Sequence, residues 1–147
     1  MRVALNEIAY PVIGLGRSIW YFKDEDSLTE TTTVGMKKEK YEGMRIVDSK
    51  GDTYLIQQAA FKSGIGIFGG FNLFGGRRIR ISLTIIKSAE KDAVSLSDLK
   101  GTLEKMLRLD PIHNTTDDYE ERSTKFNNSP AFASLIAEFG ISWYRKY

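Results

Sequence analysis

Apolar residues recur along this chain with two different periods, and the change of period divides it. In "RRIRISLTI", Ile79, Ile81, Leu83 and Ile85 fall on one face, and Arg78, Arg80, Ser82 and Thr84 on the other. Such alternation predicts a strand with one face on a core and the other toward solvent. Upstream, "MRIVDSKGDTYLIQQAAF" holds two strand-forming runs on either side of Asp48-Ser49-Lys50-Gly51. Aspartate opens a turn by accepting from the backbone that follows it, and glycine takes the left-handed position that closes it. A hairpin of Met44–Val47 with Thr53–Gln58 is therefore expected. Near the N-terminus, Pro11, Gly14 and Gly16 punctuate an apolar stretch, and short strands are expected around Val3–Tyr10 and Ser18–Phe22. Residues 27–34 remain open between two readings. Ser27 and Glu30 have the spacing of a capping box, whereas the β-branched run Thr31–Val34 favours strand.

Beyond residue 94 the period becomes helical. "SLSDLKGTLEKMLRL" sets Leu96, Leu99, Leu103, Met106 and Leu107 on one stripe, with Ser95 as cap and Asp110-Pro111 as stop. "TDDYEERSTKF" predicts a short helix with acids in its first turn, where the positive end of the helix dipole favours them. In "NNSPAFASLIAEFG", Ser129 reads as N-cap, Pro130 as the first helical residue and Gly140 as terminator, with Phe132, Leu135, Ile136 and Phe139 as the buried stripe. Strands first and helices last predict an α+β fold: an antiparallel sheet from the N-terminal two-thirds, with two to three C-terminal helices on one face. Residues 1–147 are expected to form a single domain, since there is no repeat or linker and the length suits one core.

Composition then removes whole classes. The 147 residues include no cysteine, so disulfides, thiolate nucleophiles and cysteine-held metals are excluded. A reducing compartment fits that composition, and a cytoplasmic location is expected. The 21 basic and 19 acidic side chains leave a formal charge of +2. That balance disfavours nucleic acid or an anionic membrane as main partner. No apolar window approaches the roughly 20 residues of a spanning helix.

Candidate chemistry is sparse. "GIGIFGGFNLFGG" contains a literal G-x-G-x-x-G at Gly64, Gly66 and Gly69, but a strand follows where a phosphate-binding loop would open a helix. The better reading is an irregular hairpin connection with Phe68, Phe71 and Phe74 tucked inward. Arg77, Arg78 and Arg80 beside this Phe-rich glycine loop give an alternative, a nucleic-acid-binding module that stacks bases and holds phosphates; a solvated strand face explains Arg78 and Arg80 more simply. His113 is the single histidine and sits in a polar loop, with no nucleophile and carboxylate set that spacing can identify. No catalytic residue, metal ligand or cofactor site is expected. The acids Asp117, Asp118 and Glu121 flank Tyr119, a grouping that suits a partner contact as well as a helix start.

The order of features, "YEGMRIVDSKGDTYLIQQA", then "GIFGGFNLFGGRRIRISLTI", then "VSLSDLKGTLEKML" and a closing amphipathic helix, is similar to small bacterial immunity proteins of polymorphic toxin and contact-dependent inhibition systems. The resemblance spans residues 41–109 and a looser tail. It implies a non-enzymatic protein that binds and neutralises a cognate toxin domain through shape and charge complementarity, with a few aromatic or arginine anchors. Candidate partner-binding residues are then Tyr119, Asp117, Asp118, Glu121, Phe71, Arg78, Arg80, Trp143 and Tyr144, each of which also has a core or solvated-face reading.

Overall fold

The structure is a computed structural model that describes residues 2–32, 36, 41–64, 71–72, 76–109 and 116–144, with backbone alone for 71–72, 76–77, 116–119 and 142–144. It has an α+β architecture. Among the described residues eight strands come first: β1 (Arg2–Val3), β2 (Val12–Leu15), β3 (Ile19–Phe22), β4 (Glu30–Thr32), β5 (Arg45–Val47), β6 (Thr53–Gly64), β7 (Phe71–Asn72) and β8 (Gly76–Lys87). A short helix, α1 (Glu25–Thr29), lies between β3 and β4; α2 (Leu96–Leu109), α3 (Thr116–Asn128) and α4 (Phe132–Tyr144) close the chain. Every strand pairing is antiparallel, in the order β1-β8-β6-β5-β2-β3, with β4 and β7 also paired to β8.

Period-two geometry sends neighbouring residues to opposite faces, and here both faces are buried. Val12, Phe22, Ile46, Tyr54, Ile56, Ile79, Ile81 and Ile85 build one core, roofed by Ile8 and by Leu28 of α1. Their neighbours Ile13 and Val47 belong to a second core with Leu99, Leu103 and Leu107 of α2, Phe126 of α3, and Leu135, Ile136 and Phe139 of α4. The sheet residues of this second core come from β2, β3 and β5, so the helices cover that side of one face.

The expected hairpin forms in register, Arg45 opposite Leu55 and Val47 opposite Thr53, with Gly51 at φ +91° closing its turn. Its second strand runs further than the sequence suggests, through Gly64, because two bulges absorb the broken alternation after Ile56 and after Phe61. Ser95 caps α2, its Oγ accepting from Asp98 N–H at 3.1 Å. The Asp110-Pro111 stop, His113, the lysines at 37, 38 and 40, and Gly66, Phe68, Gly69 and Phe74 lie outside the described residues.

Three expectations are corrected. Of the strand expected around Val3–Tyr10 only Val3 is strand, in β1; a 3-10 turn at Leu5–Glu7 follows, closed by Glu7 N–H on Ala4 O, and it delivers Ile8 to the first core, whereas the strand expected around Ser18–Phe22 forms as β3. The helix near Ser27 begins earlier: Asp24 is its N-cap and accepts from Ser27 N–H at 2.8 Å, while Ser27 Oγ accepts from Asp24 N–H at 3.2 Å. The final helix starts at Phe132, past Pro130, and runs through Gly140. Ser129 closes the preceding helix instead, donating from Oγ to Lys125 O at 3.0 Å and from N–H to Phe126 O at 3.3 Å. Gly140 has a packing reason: a Cβ there would lie 2.4 Å from the Tyr21 ring.

Candidate functional site

Arg78 and Arg80 of β8 are held by the chain itself. Because β4 pairs alongside β8, Glu30 reaches Arg78 and accepts from its Nε at 2.9 Å and from its Nη2. Arg80 Nη1 donates to Thr29 Oγ1 at 2.8 Å and lies 3.3 Å from Asp26 Oδ1. These exposed pairs add on the order of 0–1 kcal/mol each. Their larger effect is to offset the positive charge of the strand and fasten α1 and β4 to it. The shallow groove beside them, about 280 Å³, mixes Glu25 and Asp26 with Lys62 and Arg80 and so presents no single sign of charge.

The β6–β8 hairpin extends beyond the cores. Pairing with β5 ends at Leu55, and the last backbone bonds on that edge join Ile56 to Gly43 and Met44. Farther along, Glu42 Oε1 accepts from Ala59 N–H at 3.4 Å. Among the described residues no strand covers this edge from Gln57 to Gly64. Phe61 stands on this segment 60% exposed, one of three large apolar side chains left in solvent among the described residues, with Leu109 and Ile141. Lys62 and the bulge after Phe61 are features that protect an edge from indiscriminate pairing.

A second surface lies between α2 and the sheet. Leu99, Leu103 and Leu107 bury one side of α2, and Ser97, Asp98, Gly101, Thr102 and Lys105 share its outer side. With Arg45 of β5 and an apolar floor of Leu15 and Val94, they line an open groove of about 480 Å³. Arg45 and Lys105 form no ion pair among the described residues. Nothing lies within 4 Å of where a Gly101 Cβ would be. A glycine inside a helix costs about 1 kcal/mol against alanine, and packing gives this one no compensation.

A dense set of polar contacts surrounds the buried Asp48. Its Oδ1 accepts from Lys50 N–H at 3.0 Å and Asp52 N–H at 2.9 Å; its Oδ2 accepts from Ala9 N–H at 3.2 Å and Tyr54 Oη–H at 3.3 Å. Ser49 adds two bonds to the same N-terminal segment, from N–H to Ala9 O and from Oγ to Pro11 O. Burial, followed by the charges of Asp48 and Asp52, pushes the Tyr54 phenol up to about 12. Burial also raises Tyr10, with Glu25 and Asp24 adding to it. With its acceptors filled by backbone amides, Asp48 locks the hairpin turn to the N-terminal segment.

The residues singled out from sequence divide among three places. Phe71, Arg78 and Arg80 belong to the β7–β8 hairpin, whereas Asp117, Asp118, Tyr119 and Glu121 lie on α3, and Trp143 and Tyr144 on the last turn of α4. Glu121 pairs with Lys125 at 3.3 Å; the side chains of Phe71, Asp117, Asp118, Tyr119, Trp143 and Tyr144 lie outside the described residues. Sequence reasoning passed over Phe61, Arg45, Lys105 and Gly101. The signal for Phe61 was the lapse of alternation at Gln57-Gln58, which marks where β6 leaves the core. Among the described residues no group of three or more histidine or carboxylate side chains is placed to hold a metal ion, and no helix is long and apolar enough to cross a membrane. No protein-family model, curated protein or solved structure matches the chain.

Proposed function

We propose that this protein is a non-enzymatic, cytoplasmic immunity protein that binds a bacterial toxin domain and neutralises it. The observation that carries the reading is the edge of β6 from Gln57 to Gly64, which no strand covers among the described residues, with Phe61 exposed on it. An edge strand offers backbone donors and acceptors to a partner segment, and an aromatic side chain beside them supplies an anchor. Lys62 and the neighbouring bulge keep such an edge from pairing at random while leaving it open to one complementary surface. The resemblance in feature order to immunity proteins supplies the identity of the partner class.

Nucleic-acid binding through β8 is the weaker reading. It asks for free cations, and Arg78 and Arg80 are engaged by Glu30, Asp26 and Thr29.

Co-expression tests the proposal. The chain should rescue growth of cells producing the toxin-like domain encoded beside it, and the two should co-purify. Growth arrest undiminished by the chain, with no co-purification, would remove the reading.

A further inference from the structure

The groove between α2 and β5 is unused by the reading above. We infer that it holds an extended acidic peptide segment, with carboxylates drawn to Arg45 and Lys105 and its backbone laid over Gly101. Three observations meet there. Arg45 and Lys105 come from different elements, line one groove, and have no ion pair among the described residues. Against the single carboxylate of Asp98 they leave the lining net positive. Gly101 occupies the outer side of a helix where a Cβ would meet nothing. Alanine would suit the helix better, so the bare backbone is explained by something that must approach it closely.

Shape selects the class of ligand. The helix side from Ser97 to Lys105 is about 12 Å long at 1.5 Å per residue, matching about four residues of extended chain. The groove is open along that length, whereas small-molecule sites enclose most of their ligand. Asp98 and Lys105 lie two turns apart on α2, so the occupant should carry its acids toward the Lys105 end.

The probe is acetylated tetraglutamate amide, with acetylated tetraglutamine amide as control, titrated into the isotopically labelled full chain and followed by amide NMR shifts. Tetraglutamate is expected to shift Gly101, Thr102, Lys105 and Arg45, tetraglutamine not. Affinity should fall about fivefold or more between low and physiological salt. Arg45→Gln with Lys105→Gln should weaken it at least about tenfold. Gly101→Leu should block the groove, while Gly101→Ala should raise the melting temperature by about 3 °C and still weaken binding. All three substituted positions are exposed, and unchanged circular dichroism checks the fold of each variant. No shift at low salt, shifts spread over basic residues elsewhere, or undiminished binding in the double variant would overturn the inference. Because the probe is a peptide, loss of toxin protection would leave this result standing, and absence of peptide binding would leave the toxin reading standing.

Discussion

Gly101 and Gly140 both lie inside helices, yet alanine should have opposite effects at the two. Gly101 faces open space, so Gly101→Ala is expected to stabilise the fold by about 1 kcal/mol. At Gly140 the same propensity gain meets the Tyr21 ring at 2.4 Å, and overpacking of that kind costs about 1–3 kcal/mol. Gly140→Ala is therefore expected to destabilise, and urea unfolding of the two variants measures both signs. Asp48→Ala would strip the acceptor from three backbone amides and the Tyr54 hydroxyl, for a loss of at least about 3 kcal/mol in the same assay. Tyr54 sets an alkaline dependence. Held near 12 in the fold against an ordinary 10.0, it keeps its proton when the unfolded chain has lost it. Its contribution is complete below the ordinary value and is lost as pH rises toward the folded one. Unfolding curves at pH 8 and pH 11 should show a smaller drop for Tyr54→Phe than for the parent chain; Tyr10 falls in the same direction and accounts for a remainder.

Among the elements, the β6–β8 hairpin carries the sharpest contrast. From Thr53 to Ile56 strand β6 is paired on both edges and mostly buried; from Gln57 to Gly64 it is paired on one edge and mostly exposed. Amide exchange is therefore expected to be slow at Tyr54 and Ile56 and markedly faster at Phe61 and Ser63, read residue by residue. The hairpin turn, the strand of Ile79, Ile81 and Ile85, and the stripe of α2 were legible because each is fixed by local chemistry: an Asx turn with glycine, strict alternation, and a capped period of 3.6. Other features depend on which neighbouring element claims a residue, or on contacts distant in sequence. Ser129 and Pro130 resemble a helix start, but the backbone carbonyl of Lys125 takes the Ser129 hydroxyl. Gly140 resembles a terminator until Tyr21 is placed beside it. The candidate binding surfaces were less legible still, because an unpaired edge or an open groove is defined by what fails to cover it. The arginines of β8 carried the strongest charge signal, and two of them, Arg78 and Arg80, proved to be paired with β4 and α1.

As a whole molecule, the chain buries both sides of its β2–β5 region, and among the described residues no strand covers the far end of β6. The paired start of β6 fixes where that edge is presented, which limits the ordering entropy that binding must offset. Calorimetric titration of the full chain against the toxin-like domain encoded beside it puts that arrangement to the test. The expected result is a one-to-one complex with a Kd on the order of nanomolar, weakened at least about tenfold by Phe61→Ser. Absence of association at about 10 μM, or an affinity indifferent to Phe61, would contradict it.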